Sequence, residues 1–187
     1  FSSFTSAVQA YLQETGGFSG CNAIAVGAAG PVDRGSVRLT NAPWDIDVAD
    51  VCGQFKVPCV LINDVEAAAL CLPRLSASDY TLLGSVAPDP GSARRLLAAN
   101  SGTGFGAATL IKCGTRWISC PSEAGHMTFV LPAPELGAQF KSVENIVSGM
   151  GLSKLYGCLS GKAPLLEPPQ IFDCRDREPA CGRAVAL

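Results

Sequence analysis

A carboxylate at the end of a buried strand can accept the proton of a substrate hydroxyl, and Asp64 is so placed. The short apolar run Val60-Leu61-Ile62 breaks at Asn63-Asp64. General-base help of this kind contributes roughly 10²–10⁴-fold. An Asp ahead of a helix also serves as a plain N-cap, and the dipeptide alone favours that plainer reading. Gly102-Thr103-Gly104 is a second candidate. Glycines let a backbone approach a phosphate closely, and successive N–H groups can form an anion nest, with the Thr hydroxyl as a further donor. A hairpin tip holding two glycines is equally ordinary. No Lys-Ser or Lys-Thr follows, so this is not a Walker loop. Glu123 and His126 lie close together in a loop, and His126 is the only histidine. No second His or Cys stands at a workable spacing, so no metal site is expected there. Glu144 opens a helical segment, where a carboxylate is favoured by the dipole alone. Trp44 reads as core.

The elements that must position these residues follow from periodicity. Phe4, Val8, Tyr11 and Leu12 repeat at helical spacing, with Gly16-Gly17 as a stop. Ala23 to Val26 reads as a buried strand. Asp33-Arg34-Gly35 carries a turn signal between Val32 and Val37, which predicts a hairpin. Asp47 is placed to cap a helix running to Val51 or Phe55. The strand at Val60-Leu61-Ile62 feeds a helix over Ala67 to Leu70, ended by Pro73. Strand, polar break and helix in that order mark the carboxyl end of a strand in an α/β sheet, where sites form. Leu96 to Ala99 and Phe105 to Lys112 read as strands around the Gly-Thr-Gly tip, and Trp117 to Ser119 as another. Val143 to Val147 and Leu152 to Leu159 read as two helices split by Gly149-Met150-Gly151. The tail from Gly161 is Pro-rich and has no clear pattern. A lobe boundary is placed after Pro73, giving residues 1–74 and 75–187.

The chain has 187 residues, 48% of them hydrophobic and 16% charged, with a formal charge of -2. That composition is globular. It offers no basic field for nucleic acid and no polybasic run for a membrane surface. Apolar stretches are interrupted well short of a membrane span. The 9 cysteines are scattered, odd in number and without C-x-x-C spacing. They are read as mostly reduced, small core residues, which makes the cytoplasm the expected location. Phe1-Ser2-Ser3-Phe4 has neither a basic nor an apolar region, so no signal peptide is expected in the residues at hand, and both this end and Ala184-Val185-Ala186-Leu187 are expected to continue in a longer protein.

The order of the motifs is more telling than any one of them. Thr40-Asn41-x-x-Trp44, Ile62-Asn63-Asp64, Gly102-Thr103-Gly104-Phe105-Gly106, Glu123-Ala124-Gly125-His126 and Val143-Glu144-x-x-Val147-Ser148-Gly149-x-Gly151-Leu152 follow one another. This set, from about Phe4 to about Leu159, resembles the bacterial-type glucokinases of the hexokinase–actin superfamily. The resemblance implies a two-lobed α/β fold, ribonuclease-H-like and actin-like, with a cleft between a small lobe (1–74) and a large one (75–187).

It also implies roles. Asp64 would be the general base for the 6-hydroxyl of glucose. Asn63, Glu123, His126 and Glu144 would hold the sugar, with Asn41 where the small lobe swings toward it. Gly102, Thr103 and Gly104 would touch the phosphates of ATP, with Mg²⁺ carried on the nucleotide and no metal held by the protein. Glucose and ATP are then the partners, with a homodimer left open. The family's earlier phosphate loop, D-x-G-G-T, does not occur in the chain. The later glycine-rich segment beside adenosine is absent too, so the chain by itself is expected to be inactive. A sugar-binding pseudoenzyme or sensor of this fold, or a kinase for another hexose, is the alternative. The repressor–kinase sugar family follows the same Gly-His with a Cys-rich zinc cluster. Met127 to Gly137 contains no cysteine, so zinc is not expected.

Overall fold

The computed structural model describes all residues except 18–19, 40–41, 85–88, 90, 131–132, 134, 137–138 and 162–164. The chain packs as two compact units, Phe1–Leu96 with Leu110–Pro121, and Leu97–Thr109 with Ser122–Leu187.

In the first unit, helix α1 spans Phe4–Glu14 behind a capping box, Ser3 and Ser6 each satisfying the other's backbone N–H. Strand β1, Ile24–Ala28, runs parallel to β4, Cys59–Asn63, with Ile24 opposite Cys59 and Ala28 opposite Asn63. Between them lie the antiparallel pair β2, Ser36–Arg38, and β3, Asp45–Asp47, and then helix α2, Val48–Phe55. The turn expected at Asp33-Arg34-Gly35 forms. Arg34 and Gly35 both take positive φ, and Asp33 and Ser36 exchange backbone hydrogen bonds. The ladder that follows joins Val37 to Ile46, a later partner than Val32. Asp47 caps α2 as expected, accepting from the Ala49 N–H at 2.7 Å. Val26, Ala28, Val37, Ile46, Val51 and Leu61 form the core, with Phe4 packed against it. Trp44 is half-buried, edge-on to Phe4 with centroids 6.4 Å apart, and its indole N–H donates to the Phe1 carbonyl. Helix α3, Asp64–Cys71, follows β4 directly and passes into a 3₁₀ turn at Leu72–Arg74 that contains Pro73.

Strands β5 (Arg95–Ser101), β6 (Phe105–Cys113) and β7 (Arg116–Ser122) form a sheet in that order. In the second unit, helices α4 (Glu144–Val147) and α5 (Gly149–Ser160) replace the two expected helical segments. The glycines between them do not interrupt the second helix but open it. The Ser148 hydroxyl accepts the Gly151 N–H at 3.0 Å, and that cap starts the helix at Gly149, three residues before the expected start at Leu152. The unread tail forms α6, Pro168–Cys174, and α7, Pro179–Ala186, each with Pro in its first turn. Phe140, Ile146, Leu155, Ile171 and Cys181 are among the core residues of this unit.

The cysteines correct one expectation. Cys174 and Cys181 form a disulfide between α6 and α7. Seven others are free, and none of those seven is buried: Cys71, Cys113 and Cys120 are exposed, the rest half-buried. A thiol tolerates an interface with water, so small apolar size did not force burial here. Burial pushes the Cys59 thiol up from its ordinary value, the neighbouring Cys52 adding to it.

Candidate functional site

Asn63 and Asp64 sit where β4 ends and α3 begins, and they divide two duties. Asn63 is the cap: its Oδ1 accepts the N–H groups of Val65 at 2.9 Å and Glu66 at 3.2 Å. Its Nδ2 donates to the Gly30 carbonyl at 3.2 Å, tying the helix start to the loop after β1. An amide has two donor hydrogens, so one is left for a ligand. The plain N-cap reading of Asp64 is thereby corrected, because Asn63 fills that position. Asp64 is the first helical residue and is exposed. Its Oδ1 shares the Val65 N–H at 2.9 Å. Oδ2 has no hydrogen-bond partner among the described residues. On the next turn-face of α3, Glu66 accepts the Ser119 hydroxyl of β7, which anchors the helix that carries Asp64. Nothing in the spacing of a lone Ser and Glu 53 residues apart signals that bond.

In the second unit, the Gly102-Thr103-Gly104 turn joins β5 to β6. The Gly102 N–H donates to the Gly104 carbonyl at 2.9 Å, and the Gly102 carbonyl accepts the Gly149 N–H at 2.8 Å. The Ser101 hydroxyl donates to the Val147 carbonyl. The turn is therefore stitched to the start of α5. Neither Gly102 nor Gly104 takes a positive φ, so the left-handed nest geometry is not what the glycines provide here. What Gly104 provides is room. A Cβ on it would stand 2.6 Å from Glu144 Oε2.

Glu123 and His126 face each other across the 3₁₀ turn Ala124–His126, with Oε2 and Nε2 3.8 Å apart. Their side chains are 72% and 75% exposed, so the pair is available to a ligand and contributes little to stability by itself. Gly125 between them is buried, and a Cβ there would meet the Phe105 carbonyl oxygen at 2.4 Å and Glu144 Cβ at 3.3 Å. Glu144, at the first position of α4, accepts the Phe105 N–H on Oε2 at 3.0 Å. The second unit thus brings together Glu144, the glycine turn and the Glu123–His126 loop. Asn41 lies outside the described residues. A cavity of about 790 Å³ opens beside the turn, lined by Gly102, Thr103, Ser148, Lys154, Phe172 and Val185 among others. Lys154 lies two residues beyond the Val143 to Leu152 motif and was not singled out with it.

A family model described as Glucokinase matches residues 1–185. The chain belongs to the glucokinase family. The glucokinase of Aromatoleum aromaticum is 34% identical over 179 residues, covering 88% of this chain and 54% of that protein. The chain spans about half to three-fifths of the length of the curated glucokinases it matches, 48% in one from Mesorhizobium japonicum and 62% in one from Klebsiella pneumoniae. Among solved structures, a glucokinase from an Antarctic psychrotroph superposes with a TM-score of 0.75 at 25% identity, covering 99% of this chain and 62% of that one. A ROK family glucokinase from Streptomyces griseus, in complex with glucose and AMPPNP, superposes with a TM-score of 0.57 at 22% identity, covering 98% of this chain and 64% of that one. The α/β fold expected from the motif order is the fold these sugar kinases share with the chain.

Proposed function

We propose that the chain carries the sugar-holding half of an ATP-dependent glucokinase, which moves the terminal phosphoryl group of ATP to O6 of glucose and yields glucose 6-phosphate. The observation that carries this reading is the division of labour at the β4–α3 junction. Asn63 caps the helix, and Asp64 is left exposed with Oδ2 unpartnered among the described residues. An aspartate needed only as a cap would not be freed in this way.

In the proposed reaction Asp64 Oδ2 takes the proton of the 6-hydroxyl as O6 attacks the terminal phosphorus, and ADP leaves. Glu123, His126 and Glu144 offer the groups that hold the other sugar hydroxyls, and Asn63 offers its remaining N–H. Carboxylates, imidazole and amides match hydroxyls, each of which donates and accepts. A hydrogen bond to a charged group contributes roughly 1.5–3 kcal/mol, so a few such residues suffice to select one sugar. Gly102, Thr103 and Gly104 face the phosphates, and the adjoining cavity receives the rest of the nucleotide.

Mg²⁺ would arrive on the nucleotide and neutralise its phosphates. Among the described residues, one group of three His, Cys, Asp or Glu side chains has metal-binding spacing: Cys174, Glu178 and Cys181. Its sulfurs are bonded to each other and are the wrong donors for a hard ion. Seven free thiols favour a reducing compartment, with the Cys174–Cys181 bond as the one feature against it.

Calorimetric titration of the full-length protein with glucose tests the reading. Glucose is expected to bind to wild type and not to Glu123→Ala. A folded wild-type protein that takes no glucose would overturn it.

A further inference from the structure

Glu144 occupies a position that a sugar ligand alone does not require. Its Oε2 accepts the N–H of Phe105, the residue that closes the Gly102-Thr103-Gly104 turn. Gly104 leaves no room for a side chain against that oxygen, and Gly125 of the Glu123–His126 loop packs on Glu144 Cβ and the Phe105 carbonyl. The stretch that begins at Glu144 holds the turn twice more, through Val147 to Ser101 and Gly149 to Gly102.

We propose that Glu144 is a positioning residue for the phosphate turn as well as a sugar contact, so that one carboxylate links the two substrate subsites. This rests on the kinase reading above. A carboxylate has two oxygens, and the one on Phe105 N–H leaves the other for a sugar hydroxyl. Sugar on the free oxygen fixes the carboxylate plane and with it the Phe105 amide. The turn is thereby ordered before nucleotide arrives. Linkage makes the effect reciprocal: each ligand raises the other's affinity by the same factor.

The test is MgADP affinity measured by calorimetry without sugar, in the full-length wild type and in Glu144→Ala, Glu144→Gln and Glu123→Ala variants. Glu144→Ala should lose about tenfold in MgADP affinity, the scale of one hydrogen bond to a charged group. Glu144→Gln keeps an oxygen for the Phe105 N–H, now as a neutral bond, and should lose less than Glu144→Ala. Glu123→Ala should lose glucose but keep MgADP. Equal MgADP affinity in wild type and Glu144→Ala overturns the positioning role while leaving the kinase reading intact. So does an equal loss in Ala and Gln variants. A wild type that binds neither glucose nor MgADP overturns the kinase reading itself. Hydrogen exchange at the Phe105 amide gives a measurement independent of any variant's folding. The amide should be protected in the sugar-free protein and more so with glucose, and free exchange in both states overturns the proposal.

Discussion

At the scale of the residue, one amide organises the β4–α3 junction. Asn63 satisfies two of the helix's unpaired N–H groups and reaches back to Gly30. Replacing it with Ala should cost about 1 kcal/mol, the usual loss of a cap, read as a lower midpoint in urea unfolding. Asn63→Asp keeps the cap oxygen but loses the Gly30 bond, and should fall between the two. Equal midpoints for wild type and Asn63→Ala would show that the cap is not used. Gly125 is the other sensitive position. Its missing Cβ would lie 2.4 Å from the Phe105 carbonyl, a rigid backbone atom. Gly125→Ala should therefore destabilise by about 1–3 kcal/mol, as overpacking does, and should weaken glucose binding by shifting Glu123 and His126. An unchanged melting temperature and glucose affinity would remove the steric argument.

At the scale of the element, α2 is held by Asp47, which accepts from Ala49 N–H and from the Ser36 hydroxyl of β2. The Ser36 hydrogen bond first, and the Ala49 N–H next, hold the Asp47 carboxyl below its ordinary value of 3.8. A carboxyl whose folded value is lowered stabilises above the unfolded value and loses that contribution as pH falls through the folded one. The loss on going from about pH 5 to about pH 3 should thus be smaller in Asp47→Asn than in wild type. Chemical unfolding at the two pH values measures this, and equal losses would contradict it. The same element shows what a sequence discloses. Asp47 as a cap, the β4–α3 order and the hairpin tip at Gly102 to Gly104 were all readable, because each depends on residues adjacent in the chain. The start of α5 was not, since Gly149 to Gly151 reads as a break until Ser148 is seen bonding the Gly151 N–H. Helices α6 and α7 were missed because prolines read as breakers, although Pro in the first turn is a start signal. Of the site, the residue types and their order were legible. The contact of Glu144 with Phe105 spans 39 residues and was not.

At the scale of the whole molecule, the second unit ends in a hairpin of helices joined by the Cys174–Cys181 bond, seven residues apart in sequence. Closing so short a loop restrains little of the unfolded chain, so opening the bond should cost no more than about 2–3 kcal/mol, and Cys181→Ser more than that, because its hydroxyl is left in the core. Thermal melts of wild type, with and without reductant, beside the variant measure it. A reductant-insensitive melt would show that the bond is not formed in solution. In this protein of the glucokinase family we propose Asp64 as the base for transfer to the sugar. The most direct measurement is ³¹P magnetic resonance of the full-length protein with glucose, ATP and Mg²⁺, wild type beside Asp64→Asn. Wild type should build up glucose 6-phosphate, and the variant should do so at least about a hundredfold more slowly while still binding glucose. Equal rates in the two proteins, or no sugar phosphate from a wild type that binds both substrates, would contradict the account.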